Sequence, residues 1–284
     1  PPRRAGPRAY AQLPTPPVPP TDAPGAASPA VDAKKGRPVQ TVTVARTRWV
    51  TPTMVRVVLT GPPVAAFPDL GTTDTYVKLV FGEALRAYTV RAVDRATAEL
   101  TIDFVVHGDE GLAGPWAANA QPGDSIGFVG PGGDWAPSSD ADAHLFVGDE
   151  AALPALAASV EALLAQDREA RALIFAEVGN PGEEYPLPGG PGIGVEWVYR
   201  DGTPYGERLV QAVMAADLPQ GALHAFVHGN ADMVRPLRRF LLRDLGIARE
   251  HTSISGYWRA GHTDEAWRAV KKDFNALMEA ETAQ

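Results

Sequence analysis

Arg86-Ala87-Tyr88-Thr89, followed by Val90 and Arg91, is the stretch whose reading settles the fold. Tyr and Thr favour pleated backbone, so the segment reads as a β-strand. Side chains alternate along a strand with period two, which puts Arg86 and Tyr88 on one face and Thr89 on the other. A cationic fork, a flat ring and a hydroxyl thus stand within four residues. Alone, the tetrapeptide also fits an ordinary strand with one wet face. Residues further along the chain narrow the choice.

About twenty residues on, Asp103-Phe104-Val105-Val106-His107-Gly108 reads as a strand ending in a turn. Gly111-Leu112-Ala113-Gly114-Pro115-Trp116-Ala117 then opens a short helix, closed by Gln121-Pro122-Gly123-Asp124. Gly130-Pro131-Gly132-Gly133 comes after the next strand. Free N–H groups at a helix start favour an anion.

The 284 residues suit two ordinary domains, and 45% apolar content is ample for two cores. No apolar run reaches membrane-spanning length, and no signal-peptide pattern opens the sequence, so a cytoplasmic protein with no membrane insertion is expected. The absence of cysteine excludes disulfides and thiolate-ligated iron–sulfur clusters, so redox chemistry would need an organic cofactor. With 26 basic against 34 acidic residues the net charge is −8, which argues against nucleic acid as the main partner.

Residues 1–36, rich in Pro, Ala and Ser, read as a flexible tail. Residues 37–138 have β texture: Thr41–Val44, Met54–Leu59, Thr75–Phe81, Ala87–Val90, Glu99–Val106 and Ser125–Val129 are strand candidates. Gly61-Pro62-Pro63 stops the second, and the set suggests a small antiparallel barrel. From residue 139 to 284 strands alternate with helices. His144–Val147, Leu173–Ala176, Val195–Tyr199, Ala222–Val227 and Ser253–Ser255 read as strands of a covered parallel sheet. In the helix 231–245, Val234, Leu237, Leu241 and Leu245 form the packing face. In a last helix, 263–279, Trp267, Val270, Phe274 and Leu277 do so.

The ordered motifs, closed by Ser255-Gly256-Tyr257-Trp258-Arg259-Ala260-Gly261, resemble the siderophore-interacting proteins, a branch of the ferredoxin-reductase-like flavoenzymes. The resemblance runs from about Val39 to Trp267. It implies two domains, an antiparallel β-barrel that binds FAD followed by an α/β domain that binds NAD(P)H. By the resemblance, Arg86 would hold the FAD phosphates, Tyr88 would pack on the isoalloxazine, and Thr89 would face N5 as the catalytic hydroxyl. Asp103, Val105 and His107 are counted with the cofactor site, although a histidine bonding the turn backbone is the competing reading for His107. Gly111, Ala113, Gly114, Trp116 and Ala117 would take the FAD pyrophosphate. Leu112 stands where relatives carry proline, and Pro115 comes one turn later.

In the second domain the resemblance assigns Gly148, Asp149 and Glu150 to the nicotinamide pyrophosphate, with Ala151 in place of the usual threonine. Arg200 is placed like an arginine that holds the 2′-phosphate of NADPH, or else it is solvent-facing. NADPH is preferred to NADH on that ground. Arg259 and Lys78 are candidates for an anionic ferric siderophore, Lys78 also reading as an ordinary strand lysine. His224 and His228, four apart, flank a strand and lack further ligands, so a polar sheet end is preferred there to a metal site.

The expected activity is FAD-dependent reduction of ferric siderophores by NAD(P)H, with a ferredoxin as an alternative donor. Two rivals stand beside it. One is a general NAD(P)H:flavin or diaphorase-type reductase, the other a flavin-bearing siderophore-binding protein without turnover.

Overall fold

β-branched residues are frequent from Val39 to Val129, and there they form strands. A computed structural model describes residues 38–108 and 110–283, all within one compact unit, Val31–Gln284. The expected tail, residues 1–36, lies outside the described residues. Seven strands, β1 (Gln40–Thr51), β2 (Met54–Thr60), β3 (Tyr76–Phe81), β4 (Ala84–Thr89), β5 (Ala92–Asp94), β6 (Glu99–Val105) and β7 (Ser125–Gly132), make one antiparallel sheet ordered β4-β3-β7-β1-β2-β6-β5. Its two ends are consecutive in the chain. The connection through Val90 and Arg91 is hydrogen-bonded at both sides, Val90 N to Thr75 O and Arg91 N to Thr101 O, so the sheet closes on itself. Val42, Val57, Leu79, Ile102 and Phe104 fill the interior, each worth about 1.5–3 kcal/mol on burial.

Gly61-Pro62-Pro63 does more than end β2. Proline at the first helical positions is pre-set for a helix, and a single turn, α1 (Pro62–Ala65), forms there. It delivers Val64 and Phe67 to the barrel core. A second short helix, α2 (Ala113–Asn119), lies against β2 and β6.

The second half alternates as expected: β8 (Ala143–Gly148), α3 (Leu153–Gln166), β9 (Ala172–Val178), β10 (Ile193–Tyr199), α4 (Glu207–Ala215), β11 (Leu223–Asn230), α5 (Ala231–Arg239), β12 (Thr252–Trp258) and α6 (Asp264–Thr282). All five strands are parallel, in the order β10-β9-β8-β11-β12. One face carries α4, α5 and α6 over Leu209, Val234, Leu237 and Trp267. The other carries α3 and also meets the barrel. There Met54, Val50 and Val105 pack in one cluster with Trp135, Phe146, Phe226 and Leu156. No helix among the described residues is long and apolar enough to cross a membrane.

Two packing stripes differ from expectation. Leu245 is exposed, because α5 gives way at Phe240 to a π turn, Phe240–Asp244, that breaks the four-residue repeat after Leu241. On α6 the buried residues are Trp267, Phe274 and Met278, while Val270 and Leu277 face water.

Candidate cofactor and substrate site

The strand β4 presents its motif with the expected alternation. Arg86 stands opposite Leu79 and Tyr88 opposite Val77, both partners in the barrel core. Thr89 stands opposite Tyr76 on the outer face. The Tyr88 ring lies 4.4 Å from that of Phe104, which in turn meets Trp116 of α2. Burial pushes the Tyr88 hydroxyl well above its usual pKa. At Gly114 an added Cβ would sit 3.1 Å from Val105 O, so α2 approaches β6 as closely as glycine allows. Pro115 brings no N–H to the α2 start.

Thr89 is buried because the other half of the molecule covers it. The Tyr257 side chain, near the end of β12, lies beside its hydroxyl. The Tyr257 ring meets His228 edge-on at 5.0 Å, and His228 stacks on Phe226 at 3.7 Å. Lys78 pairs with Ala87 in register and so shares the outer face with Thr89, half-buried. A cationic fork, a ring and a hydroxyl, with the hydroxyl at the seam between barrel and parallel sheet, fit a flavin nucleotide.

In the parallel sheet the order reverses between β8 and β11, and the crevice beyond their carboxyl ends is where such sheets bind ligands. Asp149 occupies it. Its Oδ2 accepts from Asn230 N at 2.7 Å and from Trp258 Nε1 at 2.9 Å, and its Oδ1 from Ala151 N at 3.0 Å. Burial first, and then the nearby Glu150 carboxylate, pushes its carboxyl up to about 7. Gly148 and Gly229 are required here. A Cβ on Gly148 would meet Ala152 Cβ at 2.6 Å, and one on Gly229 (φ 137°) would lie 2.7 Å from the Asp149 carboxyl. The Ala152 and Leu153 N–H groups bond Asp149 O, so the loop's donors at 151–153 are taken by Asp149. Two buried atoms in the crevice, Asn230 Nδ2 and His228 Nδ1, have no partner.

Several of the expected site residues are engaged within the chain. Arg200 is neither solvent-facing nor free: it is buried, paired with Glu150, and donates to Glu177 at 3.3 Å. Its guanidinium lies 4.2 Å over the Tyr205 ring, which abuts Trp258. Glu177 in turn accepts from Gly206 N, so Glu150 and Arg200 serve the sheet edge as a closed group. Asp103 and Val105 alternate with the core residues Ile102 and Phe104 and face the seam. Asp103 takes two bonds of 2.6 Å from Arg56 and one of 2.5 Å from Tyr185 Oη. Arg91 Nε donates to the same Tyr185 hydroxyl at 3.1 Å and ion-pairs with Glu161 of α3. Arg259 Nε donates to Asp232 of α5 at 3.0 Å, and its guanidinium lies 5.4 Å from the Phe274 ring of α6, a tie within the second half. His107 is exposed on its turn. His224 and His228 are both buried inside β11 rather than capping its ends, with His224 stacked on Trp135 at 5.0 Å.

The tie from Arg91 through Tyr185 to Asp103 escaped the sequence reading. Its hint was the second arginine of Arg86-Ala87-Tyr88-Thr89-Val90-Arg91. Nothing local marked Tyr185 as its partner.

Comparison with known proteins agrees with this geometry. The family model described as "Siderophore-interacting FAD-binding domain" matches residues 43–84 and 82–135, and that described as "Siderophore-interacting protein" matches 141–261. An uncharacterized protein of Mycobacterium tuberculosis is 40% identical over 283 residues, spanning 87% of this chain and 98% of its own. The ferric vibriobactin reductase of Vibrio cholerae is 32% identical, spanning 78% of this chain and 90% of its own. A siderophore utilization protein from T. fusca, 34% identical, superposes with a TM-score of 0.72 over 80% of this chain and 94% of its own. The two-domain arrangement is that of ferredoxin-reductase-like folds.

Proposed function

This chain belongs to the siderophore-interacting protein family, and on that premise we propose that it binds FAD and reduces ferric siderophores with electrons from NAD(P)H in the cytoplasm. One observation carries the reading. The Thr89 hydroxyl of the barrel meets Tyr257 of the parallel sheet, so the hydroxyl assigned to flavin N5 lies at the seam an electron donor must reach. The substrate class comes from the V. cholerae relative, named for ferric vibriobactin.

FAD, when bound, takes up a hydride and gives electrons out singly. Arg86 would hold its phosphates through charge-assisted bonds, and Tyr88 would give the ring system an apolar wall. The Thr89 hydroxyl would donate to or accept from N5. Tyr257, lying across Thr89, would keep water from that atom. Lys78, on the same outer face as Thr89, is the cation we assign to an anionic iron chelate; Arg259, tied to Asp232, is not. Ferrous iron binds hard oxygen ligands less tightly than ferric iron, so reduction frees the metal. Arg200, matched by Glu150 and Glu177, favours neither nicotinamide donor.

The purified chain should be yellow and retain FAD. Mixed anaerobically with a ferric siderophore and NADH, NADPH or reduced ferredoxin in parallel, it should yield Fe(II), read with a ferrous-specific chelator, in a nicotinamide arm. A colourless protein that takes up no added FAD would sink the proposal. Donor oxidation indifferent to the siderophore would favour the diaphorase reading. Flavin binding without turnover in any arm would favour a binding protein.

A further inference from the structure

Arg86 is the arginine assigned to the FAD phosphates, yet its charge is already matched within the chain. Its Nη2 donates to Glu265 Oε1 at 2.6 Å, and its Nη1 to Asp264 Oδ2 at 3.3 Å and Leu85 O at 3.2 Å. Both carboxylates belong to the first turn of α6. Arg268, one turn further, joins them: its Nη2 donates to Leu85 O at 2.5 Å, and its Nε bonds Asp264 Oδ2 at 2.7 Å.

The acids do not owe their position to Arg86. Thr263 caps the helix through Ala266 N at 3.2 Å, and Trp267, Phe274 and Met278 seat it on the core. Arg235 and Arg238 of α5 tie its far end at Glu281 and Thr282. The core therefore fixes the helix start that carries both carboxylates beside Arg86.

A guanidinium has five N–H donors. Two on Nη1 and one on Nη2 are engaged, which leaves the Nε–H and one Nη2–H along one edge. That edge still suits a phosphate. A phosphate placed there stands beside two like charges, and carboxylate and phosphate draw on one cation.

The geometry points to Asp264 and Glu265 as affinity-setting residues of the flavin site, carboxylates that compete with the FAD phosphates for Arg86. This rests on the flavin reading above. Because coupling is reciprocal, bound FAD must weaken the hold of β4 on the start of α6 as much as that hold weakens FAD.

The test uses the full chain stripped of flavin and titrated with FAD, following flavin fluorescence. Replacing Asp264→Asn and Glu265→Gln together should tighten FAD about fivefold, in line with a partly exposed charge pair. In an Arg86→Ala background the same pair should tighten FAD far less, since the shared cation is gone. Amide exchange at residues 264–268 should quicken when the wild type is loaded with FAD. Should the double variant fail to fold by circular dichroism, Glu265→Gln alone, on a side chain 63% exposed, should tighten FAD about twofold. Equal or weaker FAD binding in the variants would overturn the competition, as would an equal gain without Arg86. A wild type that binds no FAD would instead overturn the flavin reading, and the competition with it.

Discussion

Arg200, the residue expected to read a 2′-phosphate, is buried between two acids. Glu150 and Glu177 are 5% and 0% exposed, so removing the guanidinium between them leaves buried carboxylates without a countercharge. Arg200→Ala should therefore cost about 3–5 kcal/mol of stability, read as a large fall in Tm. Arg200→Lys should restore part of it, since a point charge cannot grip two acids and stack on Tyr205 as well. An unchanged Tm with a higher KM for NADPH alone would return Arg200 to the phosphate. Arg86, Tyr88 and Thr89 differ in this respect. Their facing was legible because strand alternation is local, whereas Arg200 meets acids 50 and 23 residues away.

At the scale of the element, α6 tests how far periodicity can be read. Residues 267, 270, 274 and 277 satisfy a helical stripe, and so do 267, 274 and 278, because steps of three and four both stay on one face. Only the partner surface chooses. Trp267→Ala should cost about 3–5 kcal/mol, while Val270→Ala and Leu277→Ala should change stability by less than about 0.5 kcal/mol, all read by urea unfolding. Equal losses at 267 and 270 would put the stripe back in its expected phase. Existence and type of most elements were legible, since strand and helix runs were long and punctuated. The three-residue β5 and the single turn α1 were not, being shorter than any periodic signal. Nor was the π turn that displaces Leu245.

The whole molecule carries two opposed pH dependences. Burial holds the folded-state pKa of His224 down at about 4 and that of His228 at about 3, so the folded chain refuses protons that the unfolded chain takes near 6.5. That contribution is complete above 6.5 and is lost as the pH falls towards 3. Asp149, pushed up to about 7, works the other way: its contribution is complete below about 4 and is lost as the pH rises to 7. His228→Phe should thus flatten the acid-side fall in urea midpoint between pH 6.5 and 4, and Asp149→Asn should lift the midpoint at pH 7 relative to pH 4. Unchanged slopes would mean that these groups titrate alike in both states. The order of the two halves was legible from the change in period near residue 139, but their junction was not, because Arg56, Asp103, Arg91, Tyr185 and Glu161 meet only after both halves have folded. That junction also sets how the molecule comes apart. The Tyr185 hydroxyl of one half bonds the buried Asp103 of the other, and Arg91 of the barrel donates to that hydroxyl in return, so neither half leaves its partner intact. Barrel and sheet should melt in a single transition, with calorimetric and van't Hoff enthalpies equal.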